Sequence, residues 1–155
     1  KAPLGNVFNT GMNKMQKVVQ KSMSVPCDPR YLEEVRKMVR ESLSETAISD
    51  REKSLIVVAV DEAVGSIIGY GRDKNLDNEV AVSVDIDDVR FKATVSDSMN
   101  AFDLNGGLTD HQIADRVNKE KQYKLGIFLI RAIMDEITYN YKKGFENELE
   151  LIRFL

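Results

Sequence analysis

Three short runs in this 155-residue chain hold the residues best placed for chemistry. The first is Ala59-Val60-Asp61-Glu62-Ala63-Val64-Gly65-Ser66, inside a long apolar segment. At about 100° per residue, Ile56, Val60, Ala63, Val64 and Ile67 share one helical face, and Glu62, Ser66 and Gly69 fall on a stripe away from it. A carboxylate on such a stripe belongs either to a solvated helix edge or to a ligand site. The small residues Gly65 and Gly69 leave room for the second. The next run, Val95-Ser96-Asp97-Ser98-Met99-Asn100-Ala101-Phe102-Asp103, follows a strand pattern. Asp97 there reads, from the pattern alone, as an Asx-turn closing the hairpin. The third run opens at Lys124-Leu125-Gly126 and continues as an apolar helix, whose start presents free N–H groups and a positive dipole end to an anion. Lys124 either adds a charge contact to that anion, enters the anion's space, or faces solvent.

Two further residues attract notice without carrying a site. His111, the only histidine, has no metal-ligating partners near it in sequence and reads as a surface residue. Cys27, the only cysteine, lacks a nucleophile's context. It cannot form an intrachain disulfide, which fits a reducing cytoplasm.

These residues need elements to position them. Residues 1–16 show no clear periodicity and read as a flexible leader, with one domain over 17–155. Val19, Met23 and Val25 alternate as a strand ending at Pro26. Asp28-Pro29 is a helix start, with Asp28 as N-cap, and Leu32, Val35, Val39 and Leu43 mark the stripe that follows. Ser49 and Glu52 form a capping-box pattern ahead of Leu55–Ile68, whose far end Gly65, Gly69 and Gly71 should weaken. Val80, Val82, Val84 and Ile86 alternate, as do Val89, Phe91, Ala93 and Val95, across an Asp87-Asp88 turn. Two such runs predict an antiparallel hairpin with one buried face, in the centre of the sheet.

From Asp97 to Gln122 the pattern lapses, apart from a short helix that Thr109 could cap. The stretch Asn105–Gln122 reads as a mobile loop or lid. Leu125–Met134, apolar nearly all round, reads as a buried helix, and Ile137, Tyr139 and Tyr141 as a strand. A turn at Lys143-Gly144 then leads to a last strand beginning at Leu149 and Leu151. Helices and mostly antiparallel strands around one core make an α+β two-layer sandwich.

Composition narrows the function. Hydrophobic residues at 43% and charged residues at 30% suit an ordinary globular protein. A net charge of -3 and a pI near 5.3 argue against a direct nucleic-acid binder. No apolar run nears the roughly 18–20 residues that span a bilayer, and the N-terminus has no signal-peptide h-region. The cytoplasm is the expected location.

The order of elements, with the three runs on matching elements, resembles the anti-sigma-factor serine kinases of the GHKL (histidine kinase-like ATPase, Bergerat-fold) superfamily. The resemblance covers Val19 to the C-terminus. It implies ATP and Mg²⁺ as cofactors. Glu62 would be the catalytic carboxylate that activates a protein serine hydroxyl, and Asp97 would accept from the adenine amino group. Gly126 would hold phosphate at the second glycine box. Four positions depart from the family pattern. Ser66 stands where the family has its Mg²⁺-binding Asn, and its hydroxyl is shorter than an amide carbonyl. Met99 and Ala101 replace glycines of the first box, and Lys124 replaces the first glycine of the second.

Two functions follow from the resemblance. One is a regulatory protein of bacterial partner switching with weakened or lost ATP binding, holding a sigma factor or a STAS-type anti-sigma factor antagonist. The other is an active serine/threonine protein kinase that phosphorylates that antagonist. The family also implies a homodimer through the first helix and strand. A detached histidine-kinase ATPase domain fits less well, because the chain has no phosphoacceptor helix pair.

Overall fold

The computed structural model describes residues 18–75, 77–98, 126–140 and 147–155. Within them five strands form one sheet: β1 (Val19–Pro26), β2 (Glu79–Ile86), β3 (Arg90–Asp97), β4 (Glu136–Asn140) and β5 (Asn147–Phe154). Their order is β1-β2-β3-β5-β4, and every neighbouring pair is antiparallel. The hairpin β2–β3 lies inside the sheet, as its two-run alternation requires. Val80, Val82, Val84 and Ile86 of β2, and Phe91, Ala93 and Val95 of β3, form buried rows that Leu149 and Leu151 of β5 extend.

Three helices cover that buried face: α1 (Leu32–Leu43), α2 (Asp50–Asp73) and α3 (Gly126–Ile133). The predicted stripe of α2, Ile56, Val60, Ala63, Val64 and Ile67, is wholly buried. Val35, Val39 and Leu43 of α1 and Ile127, Ile130 and Ile133 of α3 join the same core. Because α2 packs against both other helices, the three lie in one layer on one side of the sheet. The architecture is the two-layer α+β sandwich that the periodicities imply.

The helix starts follow the predicted chemistry. Asp28 accepts from the Arg30 backbone N–H and caps a 3₁₀ turn, Pro29–Tyr31, that leads into α1. Ser49 Oγ accepts from the Glu52 N–H, and the Glu52 carboxylate accepts from the Ser49 N–H, closing the capping box at α2. Each such interaction satisfies a backbone donor that the first helical turn would otherwise leave unpaired.

In several places the structure departs from the expectation. α2 runs through Gly65, Gly69 and Gly71 to Asp73 instead of weakening there. Each interior glycine costs about 1 kcal/mol in helix propensity, but this half of the helix is locked by tertiary packing. Ile67, Ile68 and Gly71 are buried, and a Leu32 methyl of α1 lies 3.7 Å from where a Cβ at Gly65 would stand. By length and composition α2 could span a bilayer, which no single apolar run suggested. More than half of it is buried inside the protein, as befits a core helix.

The β2–β3 turn is centred one residue later than Asp87-Asp88. The Asp87 N–H donates to the Arg90 carbonyl, and the Asp87 carboxylate accepts from the N–H groups of Val89 and Arg90. That carboxylate stabilises the turn around Asp88-Val89 and leaves Val89 exposed. Finally, α3 is not buried all round, since Phe128 and Leu129 are 51% and 42% exposed. The expected lid Asn105–Gln122, the helix at Thr109, His111, Tyr141, the Lys143-Gly144 turn and the leader 1–16 lie outside the described residues.

Candidate functional site

The site is built where α3 begins against the middle of α2. Gly126 brings no side chain, and the helix backbone comes in close. A Cβ at this position would stand 2.6 Å from Ser66 Oγ, 3.2 Å from Glu62 Oε2 and 3.3 Å from the Glu62 carbonyl oxygen. Any side chain here would have to displace a neighbour, which glycine avoids. Three predicted site residues, Glu62, Ser66 and Gly126, therefore meet at one point. The stripe they share is no solvated helix edge: Glu62 is half-buried and Ser66 only 4% exposed.

Burial pushes the Glu62 carboxyl above the ordinary carboxylate range, and the neighbouring Asp61 charge pushes the same way. A raised carboxyl moves toward the range in which a general base works at neutral pH. Asp61 is itself tied down, because Arg36 of α1 donates to it at 2.8 Å and pairs with Glu33 at 2.8 Å. That bridge joins α1 to α2 directly beside Glu62.

The fit of a magnesium ion turns on Ser66. Mg²⁺ takes six hard oxygen ligands in strict octahedral geometry and keeps several waters. Ser66 is nearly buried, its Oγ lies against Gly126, and a hydroxyl reaches less far than an amide carbonyl. Glu62 offers a hard oxygen, but the short, nearly buried Ser66 side chain against Gly126 leaves little space for an ion with its waters, so the pair fits the ion poorly. No three His, Cys, Asp or Glu residues gather as a metal-holding group among the described residues.

Asp97 lies at the end of β3, 3% exposed, in the inward row that begins with Phe91, Ala93 and Val95. Asn147, wholly buried, is its partner across β3–β5. This asparagine escaped the sequence reading. Its signal was parity: Asn147, Leu149 and Leu151 share the inward face, so a polar residue occupies a core position of β5. Nearby, Asn78 Nδ2 donates to Ser98 Oγ at 2.6 Å and ties the start of β2 to the end of β3. Burial pushes the Cys27 thiol up against a lowering hydrogen bond with the Asn78 backbone, and the charges of Asp97 and Asp77 add to the rise, which disfavours the thiolate. Met99, Ala101 and Lys124 lie outside the described residues.

With that geometry in view, comparison with known proteins is informative. The family model for the histidine kinase-like ATPase domain matches residues 25–153. The chain belongs to the histidine kinase-like ATPase domain family. Its sandwich is that of the family, with Glu62 and Ser66 on the long helix and Asp97 at the end of the central hairpin. Several curated relatives share its length at low identity. The serine-protein kinase RsbW of Oceanobacillus iheyensis is 24% identical over 125 residues, 79% of each chain. The RsbW of Listeria innocua is 23% identical over 126 residues, 79% of this chain and 80% of its own. The RsbW of Staphylococcus epidermidis is 25% identical over 126 residues, 79% of each. Membership of the family carries ATP and Mg²⁺ use as a resemblance, and within it each position has to be judged on its own chemistry.

Proposed function

We propose that this chain is a regulatory protein of the anti-sigma-factor serine-kinase type, with weakened ATP binding, that acts by holding protein partners. The relatives named serine-protein kinase support the type. The nearly buried Ser66 carries the rest: the helix position that would hold the metal offers a short side chain lying against Gly126. Without a well-held Mg²⁺ the phosphate charges of ATP lose their main counter-charge, and affinity falls. Met99 and Lys124, in place of family glycines, push the same way. The partners would be a sigma factor or a STAS-type anti-sigma factor antagonist, met in the cytoplasm by one domain over 17–155.

A second reading, an active kinase, is favoured by one observation. Glu62 is half-buried beside the start of α3 with its carboxyl raised, as a base for a serine hydroxyl needs. Phosphotransfer separates the two. Incubation with γ-labelled ATP and a STAS-type antagonist is expected to leave the antagonist unlabelled. Labelled antagonist would favour the kinase. Glu62→Gln should then cut the rate by about 10²–10⁴-fold with ATP affinity nearly unchanged, since a base acts on the attacking hydroxyl.

A further inference from the structure

At the end of the sheet away from Asp97, the start of β1, the β2–β3 turn and the loop between α1 and α2 enclose a groove of about 440 Å³. Val19, Ile48, Ile86 and Leu155 supply its apolar lining, and Glu45, Asp87 and Asp88 its charges. No Lys or Arg is among the described residues that line it. Asp87 already serves the turn and pairs with Arg90 at 3.8 Å, while Asp88 beside it is exposed. Apolar surface continues past the groove. Val18 is exposed next to Val19, and Val89, also exposed, accepts from the Leu155 N–H at 2.9 Å. Large apolar side chains gathered on a surface mark a place that something covers. The eight residues of β3, at about 3.4 Å each, separate this place from Asp97.

The chain that leads into β1 has the matching chemistry. Residues 1–17 hold Lys1, Lys14 and Lys17 and no Asp or Glu, whereas acidic residues outnumber basic ones in the rest of the chain. Met12 and Met15 supply apolar side chains close to the strand. Val19, in the first turn of that path, is itself a wall of the groove. Met15 stands four residues before it, so their Cα atoms are at most about 14 Å apart, which puts the groove within reach. Methionine is unbranched and adapts to an irregular apolar surface. A tether this short gives an effective concentration in the millimolar range, so weak contacts are enough to hold the segment.

We infer that the groove is a docking site for the chain's own residues 12–17, with Met15 seated among Val19, Ile48, Ile86 and Leu155 and with Lys14 against Asp88. Docking covers the apolar surface and answers the acidic turn, and it is independent of whether ATP binds at the far end of the sheet.

The chain has no tryptophan, so Met15→Trp in the whole chain creates a single reporter of this contact. Its emission is expected to be blue-shifted and shielded from acrylamide. Ala47 lines the groove, and Ala47 and Asp88 are both exposed, so changes there leave the core intact. Adding Ala47→Arg, which crowds the groove and repels the lysines, should return the emission to that of an indole in water. Asp88→Lys should lower the docked-to-free ratio about fivefold, the upper end for an exposed ion pair. Combining it with Lys14→Glu should restore the ratio, as only a direct pair would. Met12→Trp provides a second reporter in case the indole is too large for the place of Met15. Solvent-like emission from both reporters overturns the docking. Shielded emission that neither Ala47→Arg nor Asp88→Lys alters puts the segment elsewhere and overturns it too. Shielding that grows with protein concentration assigns the groove to a second copy and overturns the intrachain contact.

Discussion

Gly126→Val is expected to destabilise the protein by about 3 kcal/mol, the upper part of the range for overfilling a packed contact. The position has no room for a side chain. The first added carbon would stand 2.6 Å from Ser66 Oγ and 3.3 Å from the Glu62 carbonyl oxygen. The hydroxyl can rotate aside, but the carbonyl is fixed in the backbone of α2. A branched side chain must therefore lift α3 off α2 and strip Ile127 and Ile130 from the core, where both are buried. Gly126→Ala should cost less, about 1 kcal/mol, because one methyl group asks mainly for the hydroxyl to move. Adding Ser66→Ala to Gly126→Ala should then recover part of that loss, a coupling expected only of residues in contact. Urea unfolding midpoints with unchanged slopes would measure both. A Gly126→Val protein as stable as wild type would mean that α3 does not sit on α2 at this point.

Restoring the family residues should have the largest effect on ligand affinity. Ser66→Asn combined with Met99→Gly and Lys124→Gly is expected to tighten Mg·ATP binding about 100-fold, or roughly 2.7 kcal/mol. Each change answers one physical deficit. Asparagine offers an amide carbonyl as a longer-reaching metal ligand, for which the start of α3 has to give way. Glycine at 99 removes a long side chain two residues from Asp97 in sequence. Glycine at 124 lets the backbone approach phosphate at the start of α3. Asp97 and Gly126 are already present. Calorimetric titration of the triple variant checks this. Affinity no better than wild type would place the cause of weak binding elsewhere.

Much of this was legible in the residues. The alternation of Val80 to Ile86 and of Phe91 to Val95 was enough to predict the central hairpin, because a period of two has one structural meaning. Ser49 and Glu52 announced the start of α2 through a reciprocal cap. The end of α2 was harder to read. Propensity counts the cost of Gly65, Gly69 and Gly71, but not the packing of Leu32 and the sheet that outweighs it. The turn was misplaced by one residue because the Asp87 carboxylate binds backbone donors ahead of it, a local bond that alternation does not reveal. Phe128 and Leu129 looked buried since hydropathy has no direction, whereas a helix at the surface of a two-layer fold keeps an outer side. At the site, helical spacing placed Glu62 and Ser66 together, but the burial of Ser66 is made by α3, sixty residues away in sequence. Asn147 was within reach through strand parity alone, had β5 been extended two residues toward its start.

The proposed function requires a nucleotide site that is weakened in affinity. Isothermal titration of the wild-type chain with Mg·ATP tests it most directly. A short, nearly buried Ser66 and the substituted glycine boxes predict a dissociation constant near the millimolar range, about 4 kcal/mol of binding free energy. A micromolar constant would contradict the account, since it would mean that Ser66, Met99 and Lys124 are accommodated and that this chain holds ATP as a working kinase does.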